Sequence, residues 1–157
     1  FKTLEEAVDV AMHLPAQSNS YKYSYEFPRP SVTVDIVVFR EASFRDYDVL
    51  VIRRKHPPFA GHWALPGGYM EINETYLEAA ERELLEETNL RCKHYNFVGI
   101  FDEPNRDTRG RVITIAVSVV VPRGTVAKAG DDAAETEWFP VKEALAKKLA
   151  FDHNHIL

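Results

Sequence analysis

An uninterrupted helix-forming run, beginning at Leu77 and ending at Leu90, has strand-forming runs on both sides of it. That arrangement limits the folds open to this chain. Thr75 and Glu78 form a capping box at the start of the run, and no Gly or Pro interrupts the helix from Leu77 onward. At about 100° per residue, Leu77, Ala80, Leu84 and Thr88 share one face, with Leu85 at its margin. Upstream, Ser31 to Arg40 alternates and then turns wholly apolar, the pattern of a strand entering a buried sheet. Asp48 to Arg54 is a second strand, joined to the first through the polar turn Glu41 to Tyr47. Downstream, Tyr95 to Phe101, Val112 to Val121 and Glu135 to Phe139 read as strands, and Val141 to Leu149 as a closing helix. Strands on both sides of one central helix, with a late C-terminal helix, predict an α/β fold with a mixed sheet between helices.

A length of 157 residues suits one domain with a core of its own. Leu4, Val8 and Met12 predict a short N-terminal helix closed by Pro15, so residues 1–28 are expected to form that helix and an extended lead-in. The main domain is expected over residues 29–150, with 151–157 a tail. The start at Phe1 and the abrupt end at Leu157 suggest a trimmed piece, with room for a further domain beyond. A net charge of −5 gives no bulk electrostatic reason to bind nucleic acid or a membrane surface, and no apolar run approaches 18 residues. Cys92 is the lone cysteine, which rules out a disulfide framework and fits a reducing, cytoplasmic compartment.

On the helix, Glu83, Glu86 and Glu87 fall within an arc of about 100° and repel one another, a cost that a divalent cation would remove. Alone, such a trio reads as a solvated acidic face. The residues around it say more. Gly68 is followed after five residues by Glu74, and after seven more by Arg82-Glu83; then come an aliphatic, any residue, Glu86-Glu87, and an aliphatic at Leu90. This resembles the signature of the Nudix hydrolases, Gly-x5-Glu-x7-Arg-Glu-U-x-Glu-Glu-x-Gly-U, with U aliphatic. Fixed types at set spacing, each used at roughly 5–8% in average proteins, arise by chance in far fewer than about one in a thousand chains. Asn89 stands where that family has Gly; the position follows a helix end, where Asn is the best substitute for left-handed dihedrals.

The resemblance implies an α/β/α sandwich. It also implies Glu83, Glu86 and Glu87 as metal ligands, with the Gly67 carbonyl a further one, and an orienting salt bridge between Arg82 and Glu74. Clustered carboxylates without cysteine suit Mg²⁺, with Mn²⁺ as a substitute, and Mg²⁺ commonly shares its shell with substrate phosphates. The general base is either a Glu of the motif or a later carboxylate among Asp131, Asp132, Glu135 and Glu137. Of the later set, Asp132 and Glu135 join Arg82 and the three Glu as catalytic candidates. The alternative for the later set is a solvated turn running into a strand.

Lys55 to Pro66, with its prolines, is a loop bearing Phe59 and Trp63, which line either the core or a substrate cleft. Phe101 to Arg111 carries Arg106, Arg109 and Arg111, suited to bidentate binding of phosphate or ribose oxygens, or else to loop salt bridges with Asp102, Glu103 and Asp107. This stretch is similar to the Arg-Asp-x-Arg-Gly-x segment of ADP-ribose pyrophosphatases. Arg54 and Phe101 complete the substrate-binding candidates. The expected reaction is Mg²⁺-dependent hydrolysis of a nucleoside diphosphate linked to another moiety, ADP-ribose giving AMP and ribose 5-phosphate. One rival substrate class is nucleoside triphosphates or other nucleotide sugars. Another reading is the sensor half of a transcription regulator, because Leu149 to Leu157 looks like the segment joining a Nudix domain to a winged helix in ADP-ribose-responsive repressors. His153 and His155 are expected as packing or surface residues. Relatives that dimerise make a homodimer a further expectation.

Overall fold

Ser31–Ser43 (β1) is the spine of the sheet. In the computed structural model, which describes residues 25–44, 46–130 and 133–157, both of its edges are paired. The expected N-terminal helix lies outside the described residues. Along one edge β1 runs parallel to Val112–Val121 (β6), from Ser31↔Val112 to Arg40↔Val121. The other edge is shared. Phe39 to Ser43 pairs with Asp46–Arg54 (β2) as a hairpin, while Thr33 to Asp35 pairs antiparallel with the short strand Gly67–Tyr69 (β4). Where β1 and β2 part, β4 fills the gap beside β1, and Trp63–Ala64 (β3) pairs with β2. Asn96–Phe101 (β5) closes one side of the sheet against β6, and Ala133–Pro140 (β7) lies along β2.

Why β1 turns wholly apolar is now plain: it is buried on both faces. Val34, Ile36 and Val38 pack with Ala79, Ala80 and Leu84 of the helix Tyr76–Thr88 (α1). Val37 points the other way, toward Val49, Leu65, Ala116, and Ala144 of the helix Val141–Ala146 (α2). Each fully buried aliphatic contributes about 1.5–3 kcal/mol, so this double-faced strand anchors the core. Helices cover both faces of a mixed sheet, which is the α/β architecture expected. Among the described residues no helix is long and apolar enough to cross a membrane.

The capping box forms as the sequence predicts: Thr75 N–H donates to Glu78 Oε2 at 2.7 Å, and the Thr75 hydroxyl accepts from Glu78 N–H at 3.3 Å. Asn89 adopts the left-handed conformation (φ 56°, ψ 19°), and its side chain also donates to the Lys128 carbonyl. The buried face is rotated from the expected one. Leu77 is 38% exposed, whereas Ala79 and Glu87 are buried. Ala79 and Ala80 are fully buried in the cluster against β1, and Glu87 lies on that side of the helix.

Several boundaries differ from expectation, β2 and β7 among them, which start at Asp46 and Ala133. β1 runs on to Ser43, which shortens the turn before β2. The loop before Gly67 contains β3. The closing helix stops at Ala146 rather than Leu149, because Asn154 takes up the backbone groups there: its side chain donates to the Lys147 carbonyl at 2.8 Å and accepts from Leu149 N–H at 2.9 Å. The last residues, expected as a tail, form a short helix, His153–Ile156 (α3), with His153 and Ile156 buried.

Candidate active site

Two glycines and one helix turn make the site. Gly67 and Gly68 lie in β4, held against β1 by the Asp35↔Gly67 and Val34↔Gly68 pairs. A Cβ on Gly67 would strike the Val34 carbonyl and Asp35, and one on Gly68 would enter the Glu83 carboxylate. The bare Gly68 leaves room for Glu83 of α1, and the bare Gly67 lets β4 lie tight on β1, where Gly67 N–H donates to Glu87 Oε2 at 2.9 Å. Glu83 and Glu87 lie one turn apart and line the same cleft of about 290 Å³, together with Arg54, Tyr69 and Arg82.

Arg82 is the hub of the charges. Its guanidinium donates to Glu74 at 2.6 and 3.0 Å, to Glu83 Oε1 at 2.7 Å, to Glu86 Oε2 at 3.3 Å and to the Tyr69 carbonyl at 2.9 Å. The bond to Glu74 raises the Arg82 pKa above its ordinary value, and Arg82 in turn holds the Glu74 carboxyl below its own. Burial pushes Glu83 up despite Arg82, so its negative charge is costly until a cation shares it. Gly68→Ala is therefore expected to leave the melting temperature within a few degrees, because a side-chain carboxylate can swing aside. Turnover should nonetheless fall roughly 10²-fold, as Glu83 leaves its position. Parallel melting and kinetic measurements check this.

Other candidates are distributed differently. Arg54, at the end of β2, lines the cleft, braced by the Pro58 carbonyl at 2.9 Å and stacked 4.9 Å from the Phe151 ring centre. Burial lowers its pKa, with Arg109 adding to the effect. Arg109 is clamped by Asp107 at 2.7 Å and rests 5.0 Å from the Tyr69 ring centre. Arg106 is spent inside the fold: its side chain is 4% exposed and paired with Asp152 at 2.6 Å and Asp35 at 3.4 Å. Arg111 donates to the Asp102 carbonyl. Phe59 packs on Phe151 and Phe101 against the Val37 cluster, both lining the core, while Trp63 meets Phe139 edge-on. Glu135 is exposed and paired with Arg53 at 3.2 Å; Asp131 and Asp132 lie outside the described residues.

The chemistry of the donor set answers whether a metal fits. Among the described residues no three carboxylates or imidazoles already converge on one point. Mg²⁺ does not require that, since one or two carboxylates commonly hold it while waters and substrate phosphates complete the shell. Glu83 and Glu87 supply that pair, and Glu86, 54% exposed, stands beside them. Residues that spacing did not reveal are Tyr69, which lines the cleft, and Asp35, whose charge in an apolar buried strand was the available signal.

Residues 29–157 match the model of the NUDIX domain. The chain is 44% identical over 128 residues to the ADP-ribose pyrophosphatase of Methanocaldococcus jannaschii, covering 82% of this chain and 71% of that protein. It is 28% identical over 134 residues to the ADPR responsive transcriptional repressor NtrR of Acinetobacter baylyi, covering 84% of this chain and 53% of the repressor. The fold superposes on the NUDIX domain of Shewanella oneidensis NrtR complexed with ADP ribose, with a TM-score of 0.77 over 98% of this chain and 94% of that one, at 24% identity; at that identity the likeness is one of fold.

Proposed function

The chain belongs to the NUDIX family, and from that membership we propose that it is a Mg²⁺-dependent pyrophosphohydrolase that cleaves ADP-ribose to AMP and ribose 5-phosphate. The observation that carries this reading is the pairing of Glu83 and Glu87 in one cleft behind Gly67 and Gly68, with Arg54 beside them. Glu83 and Glu87 would hold the cation, with Glu86 and the Gly67 carbonyl as further oxygen donors. When bound, the metal neutralises diphosphate charge and lowers the pKa of a water. Arg82 fixes the angle of Glu83 through its bonds to Glu74 and the Tyr69 carbonyl. Arg54 offers a fork of donors to a phosphate oxygen. The likeness to the M. jannaschii enzyme supports ADP-ribose over other nucleotides.

The test is AMP release by the purified chain from ADP-ribose, beside nucleoside triphosphates and other nucleotide sugars, with Mg²⁺ and with chelator. ADP-ribose is expected to be the preferred substrate, with release abolished by chelation and restored by Mg²⁺ or Mn²⁺. Preference for a triphosphate would overturn the substrate. A second reading, an ADP-ribose sensor, is favoured by the likeness to NtrR, and tight binding without release would establish it.

A further inference from the structure

We infer that His153 is a positioning residue for the Glu87 site, acting through the backbone of Leu65 to Gly67. The inference rests on the hydrolase reading only for its kinetic arm.

His153 lies at the start of α3, buried, and 88 residues from its partner in sequence. Leu65 N–H donates to His153 Nδ1 at 2.9 Å. A backbone N–H can only donate, so Nδ1 is the acceptor and the ring proton sits on Nε2. Nε2 faces Asp35 Oδ1 at 3.5 Å. Burial holds the imidazole pKa below its ordinary value, which keeps the ring neutral and the acceptor available.

The imidazole thus spans two segments that meet again at the site. Asp35 pairs with Gly67 across β1 and β4. Leu65 is two residues before Gly67, and between them the Pro66 carbonyl accepts from Ile36 N–H at 2.8 Å. Gly67 N–H is the donor to Glu87. The ring is itself fixed. Asp152, next to it, is clamped by Arg106, which also reaches Asp35, and Ala150 N–H donates to the Trp63 carbonyl at 2.8 Å. Without the Nδ1 acceptor, Leu65 N–H is a buried donor with no partner; the link between β3 and β4 shifts to satisfy it, and Gly67 shifts with it. Packing alone does not account for this arrangement, since an apolar ring of similar size would fill the space without the acceptor.

The test compares His153→Phe with His153→Asn, whose side-chain oxygen reaches the Nδ1 position. The readout is the Gly67 amide resonance in the metal-free chain, referenced to Glu87→Ala, which removes its acceptor. In His153→Phe that resonance is expected to move in the same direction as in the reference, with kcat for ADP-ribose down roughly tenfold and KM within about twofold. His153→Asn is expected to restore both. If Phe unfolds the chain, His153→Gln replaces it, because its amide reaches the Nε2 position and leaves Leu65 N–H unpaired. A Gly67 resonance unchanged in Phe or Gln, or an Asn variant no better than they are, would overturn the inference. Failure of the wild type to release AMP would overturn the hydrolase reading, and the Gly67 resonance would still decide this one.

Discussion

Glu87→Gln is expected to lower turnover of ADP-ribose about 10²–10³-fold, the scale of loss when a charge aimed at the transition state is removed. Glu87 is 7% exposed, and its carboxylate accepts the Gly67 N–H. Glutamine keeps the volume and retains an oxygen for that hydrogen bond, so the fold and melting temperature should be unchanged. What disappears is the negative charge that offsets a bound cation. Steady-state kinetics across a Mg²⁺ titration, beside circular dichroism, measure both. A variant that keeps most of its activity at ordinary Mg²⁺ would remove Glu87 from the metal set.

Arg82→Ala carries the largest expected loss of stability. Its guanidinium is one-quarter exposed and joins Glu74 and Glu83, whose side chains are 12% and 13% exposed. Breaking a fully buried pair costs about 3–5 kcal/mol, because the remaining charge is left without a partner. Partial access to water reduces this to about 2–3 kcal/mol here. Denaturant unfolding checks the figure, and a loss within about 0.5 kcal/mol of zero, the scale of an ordinary surface change, would refute the hub. Arg82→Lys should recover only part, since one ammonium cannot serve three carboxylates and the Tyr69 carbonyl at once. Turnover should fall with stability, because Glu83 loses the bond that fixes its angle.

What could be read from the sequence was local. The capping box at Thr75 and Glu78 involves residues three apart, and the left-handed Asn89 ends the same helix. Strand β6 matches its expected limits because period and residue type both sit within one run. The spacing from Gly68 to Leu90 pointed to the family by its resemblance to a known signature, which lies within one short stretch of chain. What escaped depends on partners far along the chain. Nothing near Arg106 signals Asp152, 46 residues on, or Asp35, 71 residues back. The early end of α2 needed Asn154, and the inward turn of Glu87 needed the burial of Ala79 and Ala80 against β1. His153 could be placed as a packing residue, but its acceptor role needed Leu65 beside it.

The parallel pairing of β1 with β6 sets an order of events on the ribosome. A chain that has emerged as far as Leu90 carries everything needed for the β1–β2 hairpin, β4 and the helix α1, all close in sequence. Its central strand still has one edge bare along Ser31 to Arg40, because the strand that covers it begins only at Val112. An uncovered edge rich in Val and Ile is a template for any other extended segment. Closure of the sheet waits for the second half of the chain, and slow translation between Leu90 and Val112 lengthens the time during which that edge is open to a neighbour.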